Sequence, residues 1–410
     1  MVSKSELWTE VSSRQDGTDR MLVRSSKRAR EQARVPSPRR VPQTCSNQTE
    51  ETMNYLGMDV HTKKTVWCLL DPQGLVLDKG KTTTSAPELS GLIQRVSAQT
   101  PVLVGQEVGT MCHFVHDVVT AAGAKILSFN AYHLRMICSS RKKTDKRDAY
   151  WIARVLQTGI MPHPVYIPDG QVRVLRRLLS EREALKSERQ RWQARARSYL
   201  VGAGYNVPKR CSTVRAMLDK TLQQQDGIDV ELEQSLQLCA RQQAAATQEL
   251  KDINRRLQQE ARTLPAIRRL RTIPSVGWVV AMSIYACVGD VSRFPNAREL
   301  ASYAGLVPSV SATGDAVHMG HITKTGSPQL RSVLLEAAQT LISRCSKPEA
   351  APLRAAPLRV LSSGPKRYRV AAVAAARIIL RTAFYVLRDQ TDYNPALLRQ
   401  QPEVNLRPAA

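Results

Sequence analysis

Four acidic residues stand where metal-dependent phosphodiester chemistry would need them. Asp59 closes the apolar run Tyr55–Asp59, within Gly57-Met58-Asp59-Val60-His61, and Glu107 closes the run Pro101–Glu107, within Gly105-Gln106-Glu107-Val108-Gly109. Asp145 and Asp148 lie three apart in Lys143-Thr144-Asp145-Lys146-Arg147-Asp148-Ala149, so a helix starting there carries both on one face. Carboxylate oxygens are hard donors that suit magnesium or manganese. Two such ions about 3.5–4 Å apart hold both the attacking and the leaving oxygen of a phosphodiester. Four acids packed together without a cation would repel one another and take up protons. The pair Asp145 and Asp148 also has a plainer account, as a helix N-cap and a first-turn acid facing the helix dipole. That account leaves the two strand-end acids unexplained.

The elements around these acids must bring them together. Tyr55–Asp59, Thr65–Leu70 and Leu75–Asp78 read as three consecutive antiparallel strands, the last two split by the turn Asp71-Pro72-Gln73-Gly74. Pro87–Gln99 has helical spacing through Leu89, Leu92 and Ile93, Pro101–Glu107 is the next strand, and a helix over Cys112–Ala122 leads to the strand Lys125–Phe129. Three strands followed by alternating helices and strands describe a ribonuclease-H-like sheet over residues 53–165. Thr144–Thr158 is again helical.

Beyond it, Leu175, Leu178, Leu185, Trp192, Ala196 and Tyr199 recur at three- and four-residue steps, and Leu236, Cys239, Ala246, Leu250, Ile253 and Leu257 repeat the pattern. These segments make a helical coiled-coil connector over 166–263, either an antiparallel hairpin or a dimerising coiled coil. The arginines between the apolar steps of the first segment suit nucleic-acid phosphates or a solvated helix face equally. Residues 264–345 read as an α-helical domain, 347–365 as a Pro-, Ala- and Ser-rich loop, and Tyr368–Arg388 as a terminal amphipathic helix carrying Arg369, Arg377, Arg381 and Arg388. Residues 1–52 are polar and basic, lack an apolar period, and read as a disordered arm; Met53 is an alternative start that would remove it.

The totals narrow the partner. Sixty Lys and Arg against thirty-five Asp and Glu leave a net charge of +25, which favours a polyanion through counterion release. No apolar run approaches the length needed to span a bilayer, so a membrane partner is not expected. The eight cysteines are scattered with no C-x-x-C pair, which points to reduced, buried thiols and a cytoplasmic, nucleoid-associated protein. Cys112, His113 and His116 read as one helix face plus core more naturally than as a metal site.

The order Asp, Glu, then T-D-x-x-D-A resembles the DEDD-type insertion-sequence transposases, whose catalytic domain is similar to the Holliday-junction nuclease RuvC. Residues Ala304-Gly305-Leu306-Val307-Pro308, Gly314, Ile322-Thr323-Lys324-Thr325-Gly326 and Leu330-Arg331 resemble the carboxy-terminal domain of the same family. The resemblance covers about residues 54–160 and 264–343. It implies a RuvC-like catalytic domain with magnesium or manganese at Asp59, Glu107, Asp145 and Asp148, and cleavage and rejoining of double-stranded DNA. It also implies a homo-oligomer, dimer or tetramer, with a composite active site. At least some members of the family are guided by a structured non-coding RNA, and others resemble site-specific invertases. The family's carboxy-terminal domain supplies a serine just before the glycine that follows A-G-L-x-P, and that serine forms a covalent link to DNA.

Here the sequence departs from the pattern, because Thr313 holds the serine's position in Ser309-Val310-Ser311-Ala312-Thr313-Gly314. A threonine hydroxyl is a competent nucleophile, although its methyl stiffens the side chain and crowds in-line attack. Three readings stay open: Thr313 serves directly, Ser311 or Ser309 replaces it, or the chain binds nucleic acid with little turnover. Lys324 and Arg331 are candidates to hold a phosphate by charge-assisted bonds. His61, His318 and His321 are candidates for proton transfer, although lone histidines near acids or glycine turns are more often structural. Ile273-Pro274-Ser275-Val276-Gly277 reads as a helix-hairpin-helix turn or as a plain connection. The rival functions are a metal-dependent nuclease or junction resolvase that uses water, and a non-catalytic nucleic-acid-binding relic.

Overall fold

The structure is a computed structural model that describes residues 53–137, 145–207, 211–223, 228–313, 316–364 and 367–396, with the side chains of 145–146, 312–313 and 316–317 outside that set. The arm expected over residues 1–52 lies outside the described residues. The chain divides into two compact units, Met1–Pro162 and His163–Ala410.

The first unit is built on β1 (Asn54–Val60), β2 (Lys64–Leu70) and β3 (Val76–Thr83), then α1 (Ala86–Val96), β4 (Val102–Glu107), α2 (Cys112–Ala121), β5 (Lys125–Phe129), α3 (Ala131–Ile137) and α4 (Asp145–Thr158). The strands form one sheet in the order β3-β2-β1-β4-β5. β1 to β3 are antiparallel neighbours, whereas β1, β4 and β5 run parallel. Three antiparallel strands leading into parallel ones around a central β1 is the ribonuclease-H-like arrangement. Strand alternation sends Leu56, Met58, Val102 and Val104 into the core under α1 and α2. It sends Val66, Cys68 and Leu70 to the opposite face, beneath Ala149 and Ala153 of α4. The sheet is therefore covered by helices on both faces.

The second unit begins with α5 (Gly170–Gly202), α6 (Val214–Leu222) and α7 (Val230–Arg262). Asp169 caps α5 by accepting from Val172 N at 2.8 Å. Leu175 and Leu178 near the start of α5 share a core with Ile253 and Leu257 near the end of α7. Ala196 and Leu200 at the other end of α5 share one with Leu236 and Cys239 at the start of α7. The two long helices are thus an antiparallel hairpin within one chain, which decides between the alternatives left by the heptad-like spacing. α6 closes the distal end with Val214, Met217 and Leu218.

The remainder comprises α8 (Pro265–Leu270), α9 (Trp278–Val288), α10 (Ala297–Tyr303), β6 (Pro308–Thr313), β7 (Ala316–Ile322), α11 (Pro328–Ser343), α12 (Ala351–Ser362) and α13 (Tyr368–Arg388). Three expectations are corrected. The domain expected to be wholly helical contains the hairpin β6–β7. Residues 351–362, expected as loop, form α12, because Pro352 sits in the first turn where no N–H is needed and Leu353 and Pro357 bury against the core. The expectation that no apolar run is long enough to span a bilayer also fails. α13 is long and apolar enough by length and composition, but 61% of its most apolar window is buried inside the fold. Ala371, Ala375, Ile379 and Phe384 make it the central helix of this core.

Candidate metal and strand-transfer sites

The sheet brings two of the expected acids side by side. The parallel pairing of β1 with β4 runs to Met58 opposite Gln106, so Asp59 and Glu107 are the next residues on neighbouring strands. Neighbouring strands lie about 4.8 Å apart. Their facing follows from two glycines. A Cβ on Gly57 would collide with Ala149 O and Ala153 N of α4, and one on Gly105 would lie 2.8 Å from Ile152 Cγ2 and Leu156 Cδ1. Both glycines therefore face α4, and so do Asp59 and Glu107, two residues further along each strand.

The direction of α4 completes the edge. Near its end, Gln157 donates from Nε2 to Pro72 O at 2.8 Å, in the turn between β2 and β3. That turn lies at the end of the sheet where β1 starts, because Leu70 pairs with Tyr55. α4 therefore runs against β1, and its N-terminus lies at the edge where Asp59 and Glu107 end their strands. Asp145 is the first residue of α4 and Asp148 precedes the buried Ala149. The positive end of the helix dipole favours acids at this position. His61 Nε2 is 3.3 Å from Asp59 Oδ2, with the acid's side chain 19% exposed.

Among the described residues, no three His, Cys, Asp or Glu side chains converge tightly enough to hold a metal ion. The side chain of Asp145 is outside those residues. The donors at this edge are carboxylate oxygens, which fit a hard divalent cation. Cys112 is not part of such a set. Its thiol lies 3.7 Å from Ser128 Oγ, and burial pushes its pKa up.

Gln106 is a residue the sequence reading passed over. It is fully buried on the face opposite Glu107, and its Nε2 donates to Cys112 O and to Ser128 Oγ, both at 3.0 Å. These bonds tie β4 to the start of α2 and to β5, and so set the path of the segment leaving Glu107. Gln106 Oε1 has no hydrogen-bond partner among the described residues. The available signal was an amide inside an otherwise apolar strand.

In the second unit the glycine motifs interlock. Gly305 has φ +66° and Gly326 φ +71°, conformations open to glycine at little cost. A Cβ on Gly305 would strike the main chain of Thr325, and one on Gly326 would strike Tyr303 O. Lys324 N donates to Gly305 O at 3.2 Å and Thr323 N to Val307 O at 2.9 Å. Arg331 Nη1 donates to Ala304 O at 3.2 Å and also to Thr325 O. The two motifs are thus one backbone lock, and Arg331, expected to hold nucleic acid, is engaged in it. Lys324 is exposed and itself left-handed, with φ +56°.

The lock forms the base of the β6–β7 ribbon. Thr313 pairs with Ala316 at the ribbon's far end, with only two residues between them, and its side chain is outside the described set. Ser311 is exposed and pairs with His318. Ser309 Oγ donates to His321 O at 3.0 Å, which engages that hydroxyl in the ribbon itself. Ile273–Gly277 connects α8 to α9, with Ser275 at φ +69° and Gly277 at the N-cap of α9.

Two family models match the chain in order: one described as "Transposase" over residues 56–204, and one described as "Transposase IS116/IS110/IS902 family" over residues 267–353. The chain is 34% identical over 91 residues to the transposase for insertion sequence element IS1111A of Coxiella burnetii, a match covering 22% of this chain and 25% of that protein. A putative transposase of Sinorhizobium fredii, y4qE, is 26% identical over 70% of this chain and 71% of its own length. A probable family 20 transposase of Pseudomonas aeruginosa is 26% identical over 62% of this chain and 75% of its own length. Among solved structures, RuvC of T. thermophilus in complex with a Holliday junction substrate matches at 13% identity and a TM-score of 0.21, covering 28% of this chain and 99% of that one. At that score the likeness carries no argument, and the assignment of the sheet rests on its strand order.

Proposed function

The chain belongs to the insertion-sequence transposases of the IS116/IS110/IS902 family, and from that premise we propose that it cuts and rejoins double-stranded DNA with a divalent metal and a hydroxyl nucleophile. The observation that carries this reading is the strand register, which sets Asp59 beside Glu107 on the face crossed by the N-terminus of α4. In the proposal, Asp59, Glu107, Asp145 and Asp148 hold magnesium or manganese. When bound, the metal supplies charge to the reacting phosphate. His61, 3.3 Å from Asp59, orients that carboxylate and takes no part in bond breaking.

Thr313 is the proposed nucleophile. Its hydroxyl attacks a DNA phosphorus, a phosphothreonine ester forms, and the leaving strand keeps a free hydroxyl. Attack of a strand hydroxyl on that ester joins the DNA and restores Thr313. The position supports this, since a ribbon tip reaches a backbone that a core residue cannot. Ser311, exposed two pairs below, is the alternative; Ser309 is less apt because its hydroxyl already donates to His321 O. The +25 charge supports a polyanionic partner, and guidance by a structured RNA from the element's non-coding end is part of the reading. The working form is a homodimer or homotetramer, acting where DNA is present in the cytoplasm.

The test is a trapping assay with magnesium, element-end DNA and the transcript of the flanking non-coding region. A denaturation-resistant adduct that disappears in Thr313→Ala and in Asp59→Ala supports the reading. Loss in Ser311→Ala instead moves the nucleophile. Cutting without an adduct points to a water-using nuclease, and binding without cutting to a relic.

A further inference from the structure

A cleft in the helical unit is lined by polar groups that neither the metal edge nor the ribbon uses. We propose that this cleft, between α8, the turn after α9 and the end of α13, holds one unpaired nucleotide of a structured nucleic acid, with Arg269 on its phosphate and Asp290 and Gln390 on the edge of its base; the proposal rests on the nucleic-acid reading above.

The cleft has a volume of about 350 Å³, which suits one small ligand. Leu264 and Val386, both buried, supply apolar wall, and Arg269, Tyr285, Asp290 and Gln390 supply polar groups. α8 packs against α13, and Tyr393 N donates to Thr272 Oγ1 at 2.8 Å, which keeps the chain after α13 beside the end of α8. Three of the polar groups are unspent. Among the described residues, the Arg269 guanidinium, the Tyr285 hydroxyl and the Gln390 amide have no hydrogen-bond partner. Burial, then the nearby Asp169 and Tyr166, push the Tyr285 pKa up, so the phenol stays a neutral donor. Gln390 follows the C-cap of α13 and has φ +52°. Helices commonly put glycine at that position, because a Cβ is unfavourable at positive φ. The chain thus keeps an amide at the cleft at a conformational cost.

Elsewhere this unit satisfies half-buried arginines with main-chain oxygens. Arg176 donates to Ala286 O at 2.7 Å, Arg293 to Val288 O at 2.8 Å and Arg354 to Ile342 O at 3.2 Å. Arg269 is equally half-buried and is not spent in that way. Asp290 accepts from Ser292 Oγ at 2.6 Å and from Ser292 N at 2.9 Å, and these bonds hold its carboxyl below the usual range as a fixed anion. Arg269 and Asp290 therefore line one cleft with opposite charges and form no ion pair with each other. That combination selects the ligand. Inorganic phosphate would meet Arg269 but be repelled by Asp290, and an apolar ligand would answer neither charge. A nucleotide carries a phosphate that matches the guanidinium fork and a flat ring face for the apolar wall. Its base edge offers amino groups and ring nitrogens, which carboxylate and amide side chains read. A paired base keeps that edge inside its helix, so the nucleotide is an unpaired one.

The experiment measures binding of the full-length protein to the labelled flanking-region transcript, which has unpaired loops, and to the fully paired element-end duplex, using Arg269→Gln, Gln390→Gly and Arg268→Gln. Arg268 is the control, exposed on the same helix and outside the cleft. The site predicts that Arg269→Gln and Gln390→Gly each weaken transcript binding about tenfold and leave duplex binding unchanged. Arg268→Gln has a smaller effect, equal on both polymers, as a general loss of charge. The melting temperature of Gln390→Gly stays level or rises, because glycine is at ease at positive φ, so this variant reports on binding even if Arg269→Gln disturbs the fold. Unchanged transcript affinity in both cleft variants overturns the site while leaving the proposed function standing. So does a loss in Arg268→Gln as large as in Arg269→Gln. Binding of AMP or CMP to the wild type that is lost in both cleft variants, with transcript affinity unchanged, reassigns the cleft to a free nucleotide and overturns the proposal. A wild type that binds and cuts duplex but not transcript overturns the site alone, and one that binds neither polymer overturns the site and the proposed function together.

Discussion

Two pairs of glycines do different work in the two units. Gly57 and Gly105 lie in strands, and their lack of a side chain lets α4 settle against the sheet. Gly305 and Gly326 lie in turns, where positive φ lets two loops lock together. The first pair is a spacer, and what it spaces is the proposed metal edge, because the lowered helix brings its N-terminus towards the strand-end acids. The second pair is a clasp, and it takes up neighbouring polar groups: the Lys324 N–H and Arg331 Nη1 are engaged within the main chain. A glycine motif beside Lys and Arg is therefore not by itself a phosphate cradle. The register of the flanking elements decides whether such residues face a ligand or each other.

The comparison is broken most severely at the acids. Asp59→Asn and Glu107→Gln are expected to lower DNA cutting by about 10³-fold, since losing a metal-held charge removes several kcal/mol of stabilisation. Their melting curves should match wild type. A matching loss of stability would make the edge a structural feature like the clasp. Next comes the clasp itself. Gly305→Ala or Gly326→Ala forces a side chain into main-chain atoms at positive φ, and should cost about 3 kcal/mol or more in urea denaturation. The spacer follows: Gly57→Ala should cost about 2 kcal/mol and also reduce cutting, because α4 must lift. Gly105→Ala meets the buried side chains of Ile152 and Leu156 rather than main-chain atoms and should be milder on both counts. Gln106→Leu removes the amide donor from Ser128 Oγ and Cys112 O, at about 1–3 kcal/mol by the same denaturation.

The smallest effect concerns the tail. Tyr393 OH donates to Glu349 O at 2.8 Å, and burial pushes its pKa up to about 12. A raised folded pKa gives stability that is complete below about pH 10, the unfolded value, and is lost as pH rises towards 12. Tyr393→Phe should cost about 1 kcal/mol at neutral pH and flatten that alkaline loss, read from melting temperature against pH.

The sheet was legible because its signals are local. Alternation, the Asp71–Gly74 turn and strand-end acids predict β1, β2 and β4 closely, and Lys125–Phe129 coincides with β5, whereas Leu75–Asp78 covers only the start of β3. α5, α7 and α13 were legible from helical period. The β6–β7 ribbon was not. It is exposed on both faces, with Val310 and Met319 60% and 63% exposed, so no buried stripe marked its strands. α12 was hidden by its prolines, which tertiary packing accommodates. At the candidate site, the identity of the acids was readable, but the close approach that gives Gly57 its role depends on an element about ninety residues away. The engagement of Arg331 was equally invisible, because its acceptors belong to a turn formed by a separate motif.

The most direct test of the account is a manganese-binding titration of the full-length protein, followed by electron paramagnetic resonance, in wild type, Asp59→Asn and Glu107→Gln. Cutting of element-end DNA is read on the same samples. The account predicts a metal site in the wild type that weakens in both variants together with cutting, while salt-sensitive DNA binding persists in the presence of a chelator. Manganese binding and cutting that survive both substitutions would contradict it.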